Sequence, residues 1–135
     1  MATTCCRRPS GASRASLAEF LRIDDQGRSS KGVSLMGFPL SRLYLGHHLR
    51  ALWGEEWLPQ AVLDRYYGWI ARSFAQDIDY DLLFGAAGGV SVLLNLHGSL
   101  AQPRALELAV ACGDHLLQKA ERREPGLARR VPAHR

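Results

Sequence analysis

The chain has 135 residues, of which 47% are hydrophobic and 22% charged, a composition typical of one globular domain and not of a disordered segment. Its formal net charge is +4, but the basic excess lies in residues 1–31 and 121–135, while residues 32–120 carry more acidic than basic side chains. Because nearly all aromatic residues fall in that acidic middle, the charge does not predict a nucleic-acid-binding surface.

The cysteines argue against a secreted, disulfide-bonded domain. Their number is odd, and Cys5 and Cys6 are neighbours in a polar segment far from Cys112. The N-terminus has no apolar segment of the secretory type, and nothing in the sequence predicts a membrane span. The sequence therefore predicts a protein of the reducing cytoplasm without contact to a membrane.

Both ends of the chain are predicted to be flexible and basic. Residues 1–34 are rich in Arg, Ser and Gly, and they allow one short helix over 16–23, with Ser16 as N-cap and Glu19 at the capping-box position. Residues 122–135 contain Pro125 and Pro132, which interrupt any helical pattern. We expect a leader over 1–34, a folded region over 35–121 and a tail over 122–135.

The first two long helices are predicted over residues 40–53 and 58–75. Gly54 and Pro59 separate them, and the second carries an apolar stripe at helical spacing, formed by Leu63, Tyr66, Tyr67, Ile70 and Phe74. His47 and His48 are adjacent on the first helix and point about 100° apart, so they are not predicted to share a metal. We interpret both as surface or groove residues.

The third helix is predicted over residues 84–97, within a run from 82 to 96 that has no charged side chain. The run is too short for a bilayer, which needs about 20 residues, and it is typical of a helix buried on all sides in a larger assembly. The small residues from Gly85 to Gly89 predict that another backbone approaches closely there. We expect 84–97 to be the most buried segment.

The fourth helix is predicted over residues 103–121. One face is apolar, and further apolar or small residues widen that face, so the helix is expected to pack against more than one neighbour. The first set is Ala105, Leu108, Ala109, Cys112 and Leu116, and the second is Leu106, Val110, Gly113 and Leu117.

The two helix pairs resemble each other at an offset of 48 residues. The matched positions are Gly37 and Gly85, Leu45 and Leu93, Leu52 and Leu100, Leu58 and Leu106, and Ala61 and Ala109. A period near 50 residues is typical of repeat architectures, in which a single unit cannot bury its own faces. The predicted fold is therefore all-α, with two α/α hairpins.

Several motifs together identify a family. They are Asp-Leu-Leu-Phe-Gly-Ala-Ala-Gly over residues 81–88, Leu-Leu-Asn-Leu over 93–96, Pro-Arg-Ala-Leu-Glu-Leu-Ala over 103–109 and Cys-Gly-Asp-His-Leu-Leu over 112–117. This pattern resembles lanthionine synthetase cyclases, above all the cyclase domain of class II lanthipeptide synthetases. The likeness covers about residues 35–120 and is strongest over 77–120. It implies an α/α toroid of inner and outer helices, of which two hairpins form an incomplete fragment.

The resemblance also implies an activity. These cyclases form lanthionine thioether rings by Michael-type addition of a peptide Cys thiol to a dehydrated Ser or Thr, so the implied partner is a precursor peptide. Asp81 stands where the family has an aspartate implicated in acid–base handling during that addition. The other interpretation of Asp81 is a helix cap that compensates the helix dipole.

The family's zinc site is not expected in this chain. The cyclases bind zinc through one Cys and a later Cys-His pair in downstream hairpins, and no Cys-His dipeptide occurs here. Cys112 is predicted to be structural, and His97 to lie at a helix end. We therefore expect a chain that ends before the metal site, binds no zinc, is inactive alone and self-associates through uncovered apolar helix faces.

The sequence does not predict a calcium site, and it leaves other functions open. Asp77, Asp79 and Asp81 resemble a calcium loop, but Leu82 and Gly88 stand where an EF-hand needs a glycine and an acid. Two further functions stay open: a non-catalytic helical-repeat module that binds a peptide or protein, and another α/α-toroid enzyme such as a glycosidase. The second would need paired carboxylates, which only residues 77–81 offer.

Overall fold

A computed structural model describes residues 7–21, 33–36, 39–123 and 126–128. It contains five α-helices, two short 3₁₀ turns and one pair of short strands within those ranges. The helices are α1 (Gly11–Leu21), α2 (Leu40–Trp53), α3 (Gln60–Ser73), α4 (Ala86–Leu100) and α5 (Pro103–Lys119). The 3₁₀ turns are Glu55–Trp57 and Phe74–Gln76, and the strands are β1 (Glu121–Arg123) and β2 (Gly126–Ala128), which pair antiparallel.

The all-α fold class is confirmed, and α2 to α5 lie within three residues of their predicted bounds. The predicted end of the fourth helix at residue 121 was wrong. The helix ends at Lys119, because Ala120 has an extended backbone (φ −73°, ψ 136°) and Glu121 begins β1. The strand pair was not predicted. The domain boundaries at 34/35 and 121/122 stay predictions.

The four long helices form two layers. α2 packs against α4 in one layer, and α3 packs against α5 in the other. α4 and α5 approach each other most closely, because only Ala101 and Gln102 join them, and Ala101 takes the left-handed conformation (φ 49°) that reverses the chain there. One apolar core lies between the layers and includes Leu40, Leu43, Tyr66, Tyr67, Ile70, Leu93, Leu96 and Cys112.

The helices repeat, but the predicted offset of 48 was wrong. It pairs buried Leu58 with exposed Leu106, and exposed Ala61 with buried Ala109. Four of the five buried residues of α2 recur 46 residues later in α4, and all five of α3 recur 42 residues later in α5. The two offsets differ because residues 54–59 join α2 to α3, whereas two residues join α4 to α5. The buried residues of α3 are Leu63, Tyr66, Tyr67, Ile70 and Ser73, and those of α5 are Ala105, Leu108, Ala109, Cys112 and His115.

α1 covers the end of α2 inside the predicted leader. Its Leu21 packs with Leu49 and Trp57 in a second apolar cluster, and the hydroxyl of Tyr66 donates a hydrogen bond to the Leu21 carbonyl at 3.0 Å. The helix begins at Gly11, five residues before the predicted cap, so Ser16 lies mid-helix and is not an N-cap. Residues 22 and 23 of the predicted helix lie outside the described residues.

α4 has more buried residues than any other described helix, six against five in each of α2, α3 and α5, as expected. Burial on all sides was predicted for a larger assembly and stays a prediction. One face is exposed and carries Ser91, Leu94, Asn95, Gly98 and Ser99.

Candidate functional site

The predicted site residue lies in the loop of residues 77–85, between the second 3₁₀ turn and α4. Asp81 is exposed, and its Oδ1 accepts hydrogen bonds from the backbone N–H groups of Leu83 and Phe84, each at 2.7 Å. Its carbonyl oxygen accepts from the N–H groups of Gly85 and Gly88 at 3.1 and 3.4 Å. The side chain therefore caps the turn before α4 and leaves Oδ2 open to an approaching group.

Asp77 is the carboxylate that caps α4 itself. It is 2% exposed, and its Oδ2 accepts from the backbone N–H groups of Ala86 at 2.8 Å and Tyr80 at 3.1 Å. Its Oδ1 accepts from the N–H of Asp79 at 3.4 Å. Both oxygens are thus directed at the backbone, which rules Asp77 out as one of a pair of catalytic carboxylates facing a substrate.

Two of the clustered glycines are required by this loop. A Cβ on Gly85 would lie 2.2 Å from the backbone nitrogen of Tyr80, and a Cβ on Gly88 would lie 2.2 Å from the carbonyl oxygen of Leu82. Real Cβ atoms do not approach so closely, so the loop can fold back onto α4 only over glycine. The predicted close backbone approach is confirmed, and the approaching backbone is that of residues 80–82.

His115 joins the loop of residues 77–85 to α5. The sequence did not predict this contact. His115 is 7% exposed, and its Nε2 lies 3.3 Å from the carbonyl oxygen of Asp77. Its ring stacks on Tyr80 and meets Phe74 edge-on. The only available signal was its spacing of three residues from Cys112 on the buried face. His47, which was interpreted as a surface or groove residue, is also buried, with 5% of its surface exposed.

A shallow cavity of about 460 Å³ lies on the exposed face of α4, lined by Ser91, Leu94, Asn95, Gly98 and Ser99. The lining has no charged side chain. The Ser99 hydroxyl donates to the Asn95 carbonyl at 2.6 Å and lies 3.3 Å from Nε2 of His47. Burial, and then the neighbouring His48, lower the pKa of His47.

Asp81 and this cavity are not adjacent along α4. Asn95 is ten residues beyond Gly85, which is roughly 15 Å along the helix at 1.5 Å per residue. Sequence reasoning found the loop, because it carries a motif, and missed the cavity, because uncharged Ser, Asn and Gly on an apolar helix suggested burial. The arrangement offers an exposed carboxylate near one end of α4 and a neutral, open surface toward the other.

Comparison with known proteins now fixes the family. The sequence matches the family described as Lanthionine synthetase C-like protein over residues 20–133, a partial match to that family. The chain belongs to the lanthionine synthetase C-like family. The match extends beyond residues 35–120, where the resemblance was predicted, at both ends. No curated protein and no solved structure matches the chain.

The described residues of this lanthionine synthetase C-like chain do not fit the family's zinc. Among them, no group of three or more His, Cys, Asp or Glu side chains could hold a metal ion. Cys112 is fully buried, and burial, with Asp77 nearby, raises the pKa of its thiol to about 12, which disfavours the thiolate that zinc needs. Cys5 and Cys6 lie outside the described residues.

No described helix is long and apolar enough to cross a bilayer.

We expect Asp81→Ala to lower the free energy of unfolding by about 1 kcal/mol, as for other lost caps, because two backbone N–H groups lose their acceptor. Asp81→Asn keeps an acceptor oxygen at the same place and should change stability by less than about 0.5 kcal/mol. Urea unfolding of the two variants measures this difference. Equal losses in both would mean that the negative charge, and not the hydrogen bonds, matters at this turn.

Proposed function

We propose that this chain serves lanthionine ring formation as a peptide-binding part of a LanC-like cyclase. The family match over residues 20–133 carries the proposal. In the reaction, the thiol of a peptide Cys loses its proton, its sulfur bonds to the β-carbon of a dehydrated Ser or Thr as the carbon–carbon double bond becomes a single bond, and the α-carbon takes up a proton. The precursor peptide is thus the proposed partner, nucleic acid is not one, and the proposed location is the cytoplasm.

Asp81 is the residue proposed to handle that proton. Its Oδ1 is held by two backbone N–H groups, which fixes the carboxylate, while Oδ2 accepts no hydrogen bond from the described residues. A fixed and exposed carboxylate can take up the proton that the peptide thiol releases and pass it to the α-carbon without moving. The same hydrogen bonds support the cap interpretation, so the two roles are compatible in one side chain.

We propose that the α4 cavity binds the peptide. Its neutral lining offers hydroxyl and amide groups to a peptide backbone and an apolar contact through Leu94. Asn95→Arg should weaken binding of a labelled, dehydrated, Cys-containing peptide at least tenfold in fluorescence anisotropy. The control is Glu107→Ala, an exposed change on α5 away from the cavity. Binding that is unchanged in Asn95→Arg would exclude the cavity.

The second candidate is a non-catalytic module that binds peptides or proteins, which the open and uncharged cavity favours. The two candidates differ in what the cavity recognises. A cyclase part should prefer the dehydrated peptide to the same peptide with intact Ser and Thr, whereas a general module should bind both alike. The same anisotropy titration with both peptides decides between them.

We further propose that the chain alone binds no zinc stoichiometrically and closes no thioether ring. A catalytic zinc site needs three protein ligands and an open position, and the described residues offer no such group. The test is metal analysis of protein purified without affinity-tag histidines, together with mass spectrometry of alkylatable thiol on the dehydrated peptide. One equivalent of zinc, or thiol lost with the chain alone, would contradict this.

Self-association through exposed apolar helix faces is the last part of the proposal. Leu94 on α4 and Leu106, Val110 and Leu117 on α5 are exposed by 38–65%. Exposed apolar side chains that form one face favour association. A molar mass that rises with protein concentration in light scattering is the expected result.

A further inference from the structure

α5 carries an exposed apolar stripe that is separate from its buried face. Leu106, Val110, Gly113 and Leu117 follow one another at intervals of four, three and four residues, so they share one side of the helix. Their exposed fractions are 38% for Leu106, 56% for Val110 and 65% for Leu117. Gly113 has no side chain and leaves a gap in this stripe, which we call the Gly113 notch. The space there is open, because a Cβ would meet nothing within 4 Å.

The corresponding side of α3 shows that the repeat does not itself require this apolar stripe. The side chain of Gln60, which lies on the same side of α3 as Asp64, bonds that of Gln102, the residue before α5, at 3.1 Å. The offset of 42 carries that side of α3 onto the exposed stripe of α5. The corresponding α3 residues are Asp64, Gly68 and Ala71, so packing between repeats does not itself demand large apolar side chains at these positions.

The stripe is complementary to itself when two helices lie antiparallel. The residue numbers 106 and 117 have the same midpoint as 110 and 113. An antiparallel pair in this register places each Leu106 against Leu117 of the second copy. It also places each Val110 against the Gly113 notch of the second copy, where no Cβ stands in the way.

We propose that this stripe binds the same stripe of a second copy of the chain, with the two α5 helices antiparallel. This inference rests on the proposed self-association and names its surface. The stripe is about 17 Å long at 1.5 Å per residue and one helix wide. With a helix about 10 Å wide, the stripe covers about 170 Å². This area is well below the roughly 800 Å² per partner of a standard interface, so the dimer is weak and reversible.

The charge of Asp114 predicts how association of the two copies depends on salt. Asp114 lies about 70° from the centre of the stripe, and a two-fold axis brings the Asp114 side chains of both copies to the same edge. Like charges at one edge oppose association, and salt screens them. The dimer should therefore tighten as ionic strength rises, and Asp114→Asn should tighten it at low salt.

The experiment is sedimentation velocity of the 135-residue chain over a concentration series. Val110→Glu and Gly113→Glu should each raise the dissociation constant at least tenfold, and Asp114→Asn should lower it. The control Ala61→Glu, exposed on α3, should leave it unchanged. All four positions are at least partly exposed, so the fold is expected to persist, and circular dichroism checks this.

Cross-linking tests the register, in a background with Cys5 and Cys6 changed to Ser. A mixture of Val110→Cys and Gly113→Cys chains should form the mixed disulfide faster than either variant forms its own. Faster self-linking of either variant overturns the antiparallel register. A wild-type chain that is monomeric at every concentration overturns both this inference and the proposed self-association. Association that Val110→Glu leaves unchanged overturns only the choice of surface.

Discussion

Replacing Leu93 with aspartate is expected to unfold most of the protein at room temperature. Leu93 is fully buried in the core between the helix layers, and a carboxylate there has no partner. An unpaired buried charge costs several kcal/mol, which is a large part of the 5–15 kcal/mol that stabilises a typical domain. Loss of the helical signal in circular dichroism at 25 °C is the measurement.

The matched control is Glu107→Ala on the exposed side of α5. Glu107 pairs with Arg104 at 2.8 Å, but the two side chains are 63% and 56% exposed. Such pairs contribute little, and the change should stay within about 0.5 kcal/mol. If both variants melted at the same temperature, the assignment of buried and exposed faces would be wrong.

The helices could be predicted because helix formation follows local rules. An apolar side chain every three or four residues marks a face, and Gly54 and Pro59 separate two such patterns. These signals lie within one or two turns of the residues that they place. That is why α2 has the predicted bounds, Leu40–Trp53, and why α5 begins at Pro103 as expected.

The repeat offset and the buried histidines could not be predicted in the same way. Matching identical residues gave 48, but helices pack by face, and the lengths of the connectors decide which residues share a face. His47 and His115 are buried because neighbouring elements cover them, Ser99 lying beside the first and Tyr80 beside the second. Neither contact has a signature in the sequence near the histidine.

The sequence also did not show which of the clustered carboxylates is buried. Asp77, Asp79 and Asp81 alternate along the chain, and the family motif contains only Asp81, whose catalytic role stays a prediction. The loop turns back at Tyr80, which takes a left-handed backbone conformation (φ 57°). That turn places the Asp77 carboxylate beneath the first turn of α4 and leaves Asp81 at the surface.

Asp77→Ala is therefore expected to destabilise the fold by about 3 kcal/mol. The change leaves the N–H of Ala86, which is buried, and that of Tyr80 without their acceptor. Each unsatisfied buried group costs about 1–3 kcal/mol, and the Tyr80 group is only partly buried, so it contributes less. Asp81→Ala, the comparison variant, should cost about 1 kcal/mol because its two N–H partners lie in an exposed turn that water can reach.

Amide hydrogen exchange separates this mechanism from a general loss of stability. In Asp77→Ala, exchange at Ala86 should accelerate more than exchange at Leu93 in the middle of α4, because the cap is lost while the core remains. In Asp81→Ala, the Leu83 and Phe84 amides should accelerate and Ala86 should not. Equal acceleration at Ala86 in both variants would show that the whole loop, and not the buried Asp77 carboxylate, stabilises the start of α4.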